Sequence, residues 1–306
     1  MRRTSSEGPR GIEYGLSIDM ITAIFLLLAA LGIGAPLPHV ALPPRGTTLR
    51  IAVVGDTGEG SDRVAQGIAK LHAKTPLDAV IITGDAFYPC GPASKTDPQW
   101  SRVRALSQIG IPLFPVLGNH DFCGKSVPDA QIGSAPVAHW QFPARQYVID
   151  TKLAELLMLD TTPFAVGRSD AATDAVRQTF ASKKTTWRIA AGHHPIVSSG
   201  YHGHFPRAQH VRMVKLEPLM KRAQVDLYIC GHDHHLELID GQPRYLISGA
   251  GSDPVPPLVP HAKTLFPSDA TTQLGFAVLE LDDRLMTIRF FDGEGSAISK
   301  PFVFRR

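Results

Sequence analysis

Residues 228–238, "YICGHDHHLEL", place His232, Asp233, His234 and His235 in four consecutive positions directly after an apolar run. Imidazoles and carboxylates in that density bind metal ions or move protons. Four other apolar runs also end in a glycine and carry such groups just beyond it. Asp56 follows "LRIAVVG", Asp85 and Tyr88 follow "AVIITG", Asn119, His120 and Asp121 follow "PLFPVLG", and His193 and His194 follow "RIAAG". Oxygen and imidazole donors without thiolate suit hard or borderline cations, and there are more of them than one tetrahedral zinc takes. Two ions sharing a carboxylate would use them all.

The runs that carry these groups are rich in β-branched residues and read as strands buried on both faces, with the glycine letting the chain turn sharply at the strand end. Helix patterns lie between them. "SDRVAQGIAKLHAK" puts Val64, Ile68 and Leu71 on one face; "TDPQWSRVRALSQI" opens with Asp97 as N-cap and Pro98 in the first turn. "RAQHVRMVKLEPLMKRA" is a third helix with Pro218 as its weak point. Strands alternating with helices predict a mainly parallel sheet whose ligands gather at the carboxyl ends of the strands. The last third, "PRYLISGAGS", "LGFAVLELDD" and "RLMTIRFFDG", predicts hairpin-linked strands in a second, more antiparallel sheet. The expected fold is therefore α/β, a four-layer α-β-β-α sandwich.

The ordered series "GDTG" (55–58), "GDAFY" (84–88), "GNHD" (118–121), "GHHP" (192–195) and "GHDH" (231–234) resembles the signature of the calcineurin-like metallophosphoesterases. The tyrosine of "GDAFY" makes it similar to the purple acid phosphatases, and the short chain to their small, tartrate-resistant branch. The resemblance implies that Asp56, Tyr88 and His234 bind a ferric ion. Asn119, His193 and His232 would bind a divalent ion (Fe, Zn or Mn), with Asp85 bridging the two. His120 and His202 match positions that face the substrate, as does Asn119.

The implied activity is hydrolysis of phosphate monoesters by in-line attack of a metal-bound hydroxide, with an acidic pH optimum. A ferric and a divalent ion, less Asp56, Asp85, an ionised Tyr88 and one hydroxide, leave one net positive charge for the incoming phosphate. His120 is the expected acid for the leaving oxygen, with Asp121 orienting it and His202 assisting in binding or proton delivery. A phosphodiesterase or nucleotide pyrophosphatase on the same fold is the alternative. Substrates would be small phosphate esters or phosphoproteins.

Simpler readings compete at several positions. Asp56 and Asp85 could cap helices, but a cap accounts for neither Tyr88 nor the histidines. His194, Asp233 and His235 read as supporting or packing residues, because residues two apart on an extended stretch share a face and His232 and His234 take it. His202 competes with His204 in the glycine-rich "SSGYHGHFPR".

The whole chain has 306 residues and a formal net charge of +3, with no basic tract, which argues against nucleic acid as a partner. Residues 1–20 form a basic and polar leader, and 21–37, "ITAIFLLLAALGIGAPL", reads as an export signal. Pro36 disfavours cleavage after Ala35, so an uncleaved membrane anchor is expected. A secreted product and a buried core helix are the alternatives. Residues 38–48 read as a proline-rich linker, and 49–306 as the catalytic domain, outside the cytoplasm. Export leaves a bond between Cys90 and Cys123 open, while Cys230 reads as a buried small hydrophobe.

Overall fold

The computed structural model describes residues 36–58, 62–182, 185–204, 208–266 and 273–306. The expected signal at 21–37 lies outside these, except for Pro36 and Leu37, and no helix among the described residues is long and apolar enough to cross a membrane. Contacts separate Met1–Pro36 from Leu37–Arg306, and the second unit carries both sheets.

Its strands are β1 (His39–Ala41), β2 (Leu49–Val54), β3 (Ala79–Ile82), β4 (Leu113–Pro115), β5 (Tyr147–Asp150), β6 (Ala154–Met158) and β7 (Trp187–Ala191), then β8 (Leu227–Cys230), β9 (Leu236–Ile239), β10 (Arg244–Ser248), β11 (Thr264–Phe266), β12 (Gly275–Leu281), β13 (Leu285–Asp292) and β14 (Phe302–Arg305). Its helices are α1 (Asp62–Lys74), α2 (Arg104–Ser107), α3 (Thr162–Ala165), α4 (Ala171–Thr179), α5 (Tyr201–His204), α6 (Ala208–Met213) and α7 (Glu217–Arg222). Among the described residues, one sheet has the order β1-β5-β6-β7-β8-β10-β9-β11 and the other β14-β13-β12-β2-β3-β4.

The strand alternation shows why two sheets stack. Along β6, β7, β8 and β10, Leu156, Ile189, Ile229 and Leu246 point into one core, shared with Ile51, Val53 and Ile81 of the other sheet. Their neighbours Leu157, Ala190, Tyr228 and Ile247 point into a second core with Phe164, Val176 and Met220 of the helices outside. A strand buried on both faces must read as a continuous apolar run, and these do.

The predicted four layers stand, but their partition differs. The five motif strands do not share a sheet: β2, β3 and β4 pair in parallel in one, β7 and β8 in the other. Nor does the last third form its own sheet. β10 pairs in parallel with β8, whereas β12 and β13 extend the β2 sheet antiparallel. Apolar alternation specifies which face of a strand is buried, not which neighbour it takes.

Two further expectations shift. The stretch 38–48 contains β1, which pairs with β5, so it begins the edge of a sheet rather than serving only as a linker. The helix over 207–223 breaks into α6, a 3-10 turn at Val214–Leu216 and α7. Pro218 lies in the first turn of α7, where its missing N–H costs nothing. Asp97 caps as expected, accepting from Gln99 N at 2.9 Å, and Pro98 opens a 3-10 helix. Cys90 and Cys123 form a disulfide, and Cys230 is free and buried.

Candidate metal centre

The seam between the two sheets gathers the motif corners. Gly55 N donates to Ser248 O at 2.8 Å, and Ser248 Oγ to Val53 O at 2.7 Å, so the end of β2 is tied to the end of β10. The turn expected of the glycines is mostly made by the residue after them. Asp56, Asp85 and His232 have φ of 57°, 49° and 69°, while of the five corner glycines only Gly84 is left-handed. The glycines serve close approach instead. A Cβ on Gly118 would strike the Asp85 carboxylate, and one on Gly231 the Asp56 carboxylate. Left-handed, non-glycine residues at three corners hold strain that the surrounding bonds sustain: His232 N donates to Asp56 Oδ2 at 2.9 Å, and His120 N to Asp85 Oδ1 at 2.9 Å.

Two groups of donors result. In the first, Tyr88 Oη lies 3.1 Å from Asp56 Oδ1 and 3.1 Å from His234 Nε2, and His234 Nε2 is 3.4 Å from Asp56 Oδ1. In the second, His193 Nε2 lies 3.0 Å from Asn119 Oδ1, and ligand atoms of Asp85, His193 and His232 lie within 4.8 Å of one another. Asp85 Oδ2 touches both groups, 3.5 Å from Tyr88 Oη and 3.2 Å from His193 Nε2. All seven expected ligand residues therefore converge, in two groups with Asp85 Oδ2 next to both.

Electrostatics fit cations here. Asp56 and Asp85 are buried, and among the described residues their ion-pair partners are histidines alone. Burial and the Asp56 and Asp85 charges push the Tyr88 phenol far above its ordinary range, so a phenolate at this position needs a positive ion beside it. For His193 and His234, burial works to lower the pKa, but Asp85 at the first and Asp56 at the second raise it to about 9. Burial holds His232 and His194 well below 6.5, which keeps them neutral with a lone pair to offer.

The other ring nitrogens are already committed. Nδ1 of His193 donates to Thr83 O at 2.9 Å, and Nδ1 of His234 to Asp253 O at 3.1 Å, which leaves each Nε2 turned to the centre. The His232 ring is held by the Gln209 amide at 2.8 Å from Nε2.

Several roles are corrected by the contacts. Asp121 does not touch His120: it is buried, accepts from Gly118 N at 2.8 Å and from Gln131 Nε2 at 2.6 Å, and is raised to about 7 by burial and the Asp85 charge. His120 is oriented instead by the Pro89 carbonyl, which accepts from Nδ1 at 2.6 Å. The segment 231–235 is a turn between β8 and β9 rather than an extended strand. His232 and His234 nonetheless reach separate groups, while His235 pairs with Glu237 at 3.2 Å and Asp233 accepts from His202 N at 3.0 Å. His202 reaches the centre, its ring 3.8 Å from that of His232.

Thr161 and Gln209 were not read from the sequence. Thr161 Oγ1 accepts from His193 N and His194 N, both at 3.2 Å, and pairs with His194 Nδ1. The run "ELLMLDTT" carried a usable signal, since it is a further apolar strand ending in polar residues. Gln209 had none.

The calcineurin-like phosphoesterase family model matches residues 49–236, more than half of the chain. The chain belongs to the calcineurin-like phosphoesterase family. Purple acid phosphatase 17 of Arabidopsis thaliana is 29% identical over 269 residues, covering 77% of this chain and 78% of that one. Tartrate-resistant acid phosphatase type 5 of Homo sapiens is 27% identical over 339 residues, covering 94% and 99%. The recognition of the sequence as purple acid phosphatase-like, on the tartrate-resistant side, stands, and with it the enzyme class of phosphoric monoester hydrolase. Among solved structures, GAP50, described as the anchor in the inner membrane complex of Plasmodium, has a TM-score of 0.68 at 24% identity, covering 85% of this chain and 89% of that one. At that identity the likeness shows the fold alone.

Proposed function

We propose that the chain hydrolyses phosphate monoesters at a centre of two cations, with an acidic pH optimum. The observation that supports this most is the position of Asp85 Oδ2 between the two donor groups. Asp56, Tyr88 and His234 would hold ferric iron, for which a phenolate is the fitting hard donor; Asn119, His193 and His232 would hold a divalent Fe, Zn or Mn. Bound there, the ions offset phosphate charge and acidify a water.

The protein's own groups do the rest. His120 Nε2 faces the centre, 4.0 Å from Asp85 Oδ2, with its side chain 37% exposed. With Nδ1–H fixed on Pro89 O, a protonated His120 carries its second proton at Nε2, where a leaving oxygen would take it. Burial lowers the pKa of His202, which favours the neutral ring and a binding role over proton delivery. Asn119 would contribute to phosphate binding beside its ion. The domain would act outside the cytoplasm, where the Cys90–Cys123 bond is stable, on small phosphate esters or phosphoproteins, either secreted or held at a membrane by its N-terminal segment.

Purified protein assayed against mono- and bis-nitrophenyl phosphate from acid to neutral pH, with its metals counted, tests this. Monoester turnover with two ions per chain is expected. Preference for the diester, or no turnover with both ions bound, would sink it.

A further inference from the structure

We propose that the side of the centre beyond His202 and His234 is a leaving-group subsite that selects phosphate esters of apolar, aryl-bearing alcohols. The inference rests on the monoesterase reading: the rings of His120 and His234 lie 4.5 and 6.0 Å from that of Tyr88, so an ester oxygen at His120 leaves a short alkyl arm to carry the rest of the alcohol past His234 into this side. A cavity of about 340 Å³ opens at this point, with His232 and His234 in its floor and Tyr201, Val255 and Leu258 in its wall. These three are 41%, 52% and 51% exposed. Isolated exposed apolar residues are ordinary, but several around one concavity beside a buried polar centre mark a binding face.

The wall is held in place by hydrogen bonds from both sides. Val255 N donates to His234 O at 2.8 Å, and Leu258 N to Ser199 O at 3.0 Å. Ser199 in turn donates from N and Oγ to buried Glu237, which also accepts from Thr264 Oγ1 at 2.8 Å. The Ser199 carbonyl thus joins the rim that bears Tyr201 and His202 to the rim that bears Leu258, and Glu237 fixes Ser199 in turn. A concavity bounded by hydrogen-bonded backbone on both sides discriminates by shape and polarity.

Charge narrows the occupant. Among the described residues lining the cavity there is no lysine or arginine, while Tyr201, Val255, Pro256 and Leu258 offer apolar surface. An aromatic or branched apolar group on the alcohol is therefore favoured.

The test compares 3-phenylpropyl phosphate with glycerol 1-phosphate. Both release alkoxides, so intrinsic reactivity differs little and the pocket sets the ratio. The holoenzyme should prefer the phenylpropyl ester in kcat/KM by about tenfold or more. Leu258→Ser and Val255→Ser should each erase most of that preference through KM, with the inhibition constant of inorganic phosphate unchanged. Equal kcat/KM for the two esters, in protein that turns over nitrophenyl phosphate, overturns the subsite alone. A variant in which phosphate inhibition weakens in step with KM also overturns it, because the residue then supports the centre and not the alcohol. Protein that binds both ions yet hydrolyses no monoester overturns the underlying reading instead.

Discussion

The Pro89 carbonyl accepts a hydrogen bond from His120 Nδ1 at 2.6 Å, which fixes which ring nitrogen faces the centre. Replacing His120 by Ala should lower turnover of alkyl phosphates by about 10²–10⁴-fold, the usual worth of a general acid, and that of nitrophenyl phosphate far less. Nitrophenolate leaves without a proton, so equal losses on both substrates would remove the acid role.

Tyr88 gives the centre a spectroscopic handle. If its oxygen binds ferric iron, the protein is coloured by a phenolate-to-iron charge-transfer band. Tyr88→Phe should abolish that band in a visible spectrum while leaving Asn119, His193 and His232 able to bind a divalent ion. A variant that keeps the band would show that some other residue supplies the colour.

Gln209 touches no ion in the proposed arrangement but holds the His232 ring. Loss of such a support typically costs 10–100-fold in metal affinity. Gln209→Ala should weaken the divalent site by about tenfold in a chelator competition and leave the visible band of the iron site intact. Unaltered retention of the divalent ion would mean that the contact does not position His232.

Glu237 makes a pH prediction. Burial alone would raise its pKa, but bonds from His235 and Ser199 bring it below its ordinary 4.5. A depressed carboxylate contributes stability that is fully present above 4.5 and is lost as the pH falls through the folded-state value. Glu237→Gln should lower stability by about 1–3 kcal/mol at neutral pH, and the gap to the parent should close on acidification below 4.5. Urea midpoints at fixed metal loading measure this; a gap that stays constant down to about pH 3 would contradict it.

The disulfide joins the segment after Tyr88 to the segment after His120, across 33 residues. Replacing Cys90 and Cys123 together by Ala should cost about 2–4 kcal/mol in denaturant unfolding. Because His120 hangs between these segments, turnover of alkyl esters should fall in the folded variant while metal content holds. Unchanged stability would show that the bond does not form in the protein as produced.

The donor set was legible because each donor directly follows a strand end, and strand ends are marked by apolar runs closing on glycine. Nothing of that kind marks the left-handed turn at Asp56, Asp85 and His232, which is a backbone property enforced by contacts from other corners. The same limit explains Asp121. Adjacent in sequence to His120, it points into the fold toward Gly118 and Gln131, while the partner of His120 is a carbonyl, and every residue has one. Sheet membership was hidden for a related reason: β10 and β12 are both apolar, and only the three-dimensional closure decides that one joins β8 and the other β2.

That division of strands has a mechanical meaning. Asp56, Asp85, Tyr88 and Asn119 descend from the sheet of β2, β3 and β4, whereas His193, His232 and His234 descend from that of β7 and β8. Any ion that draws donors from both is a rivet through two plates. Its binding free energy is then also adhesion between the halves of the sandwich, so metal supply would set resistance to unfolding as well as turnover.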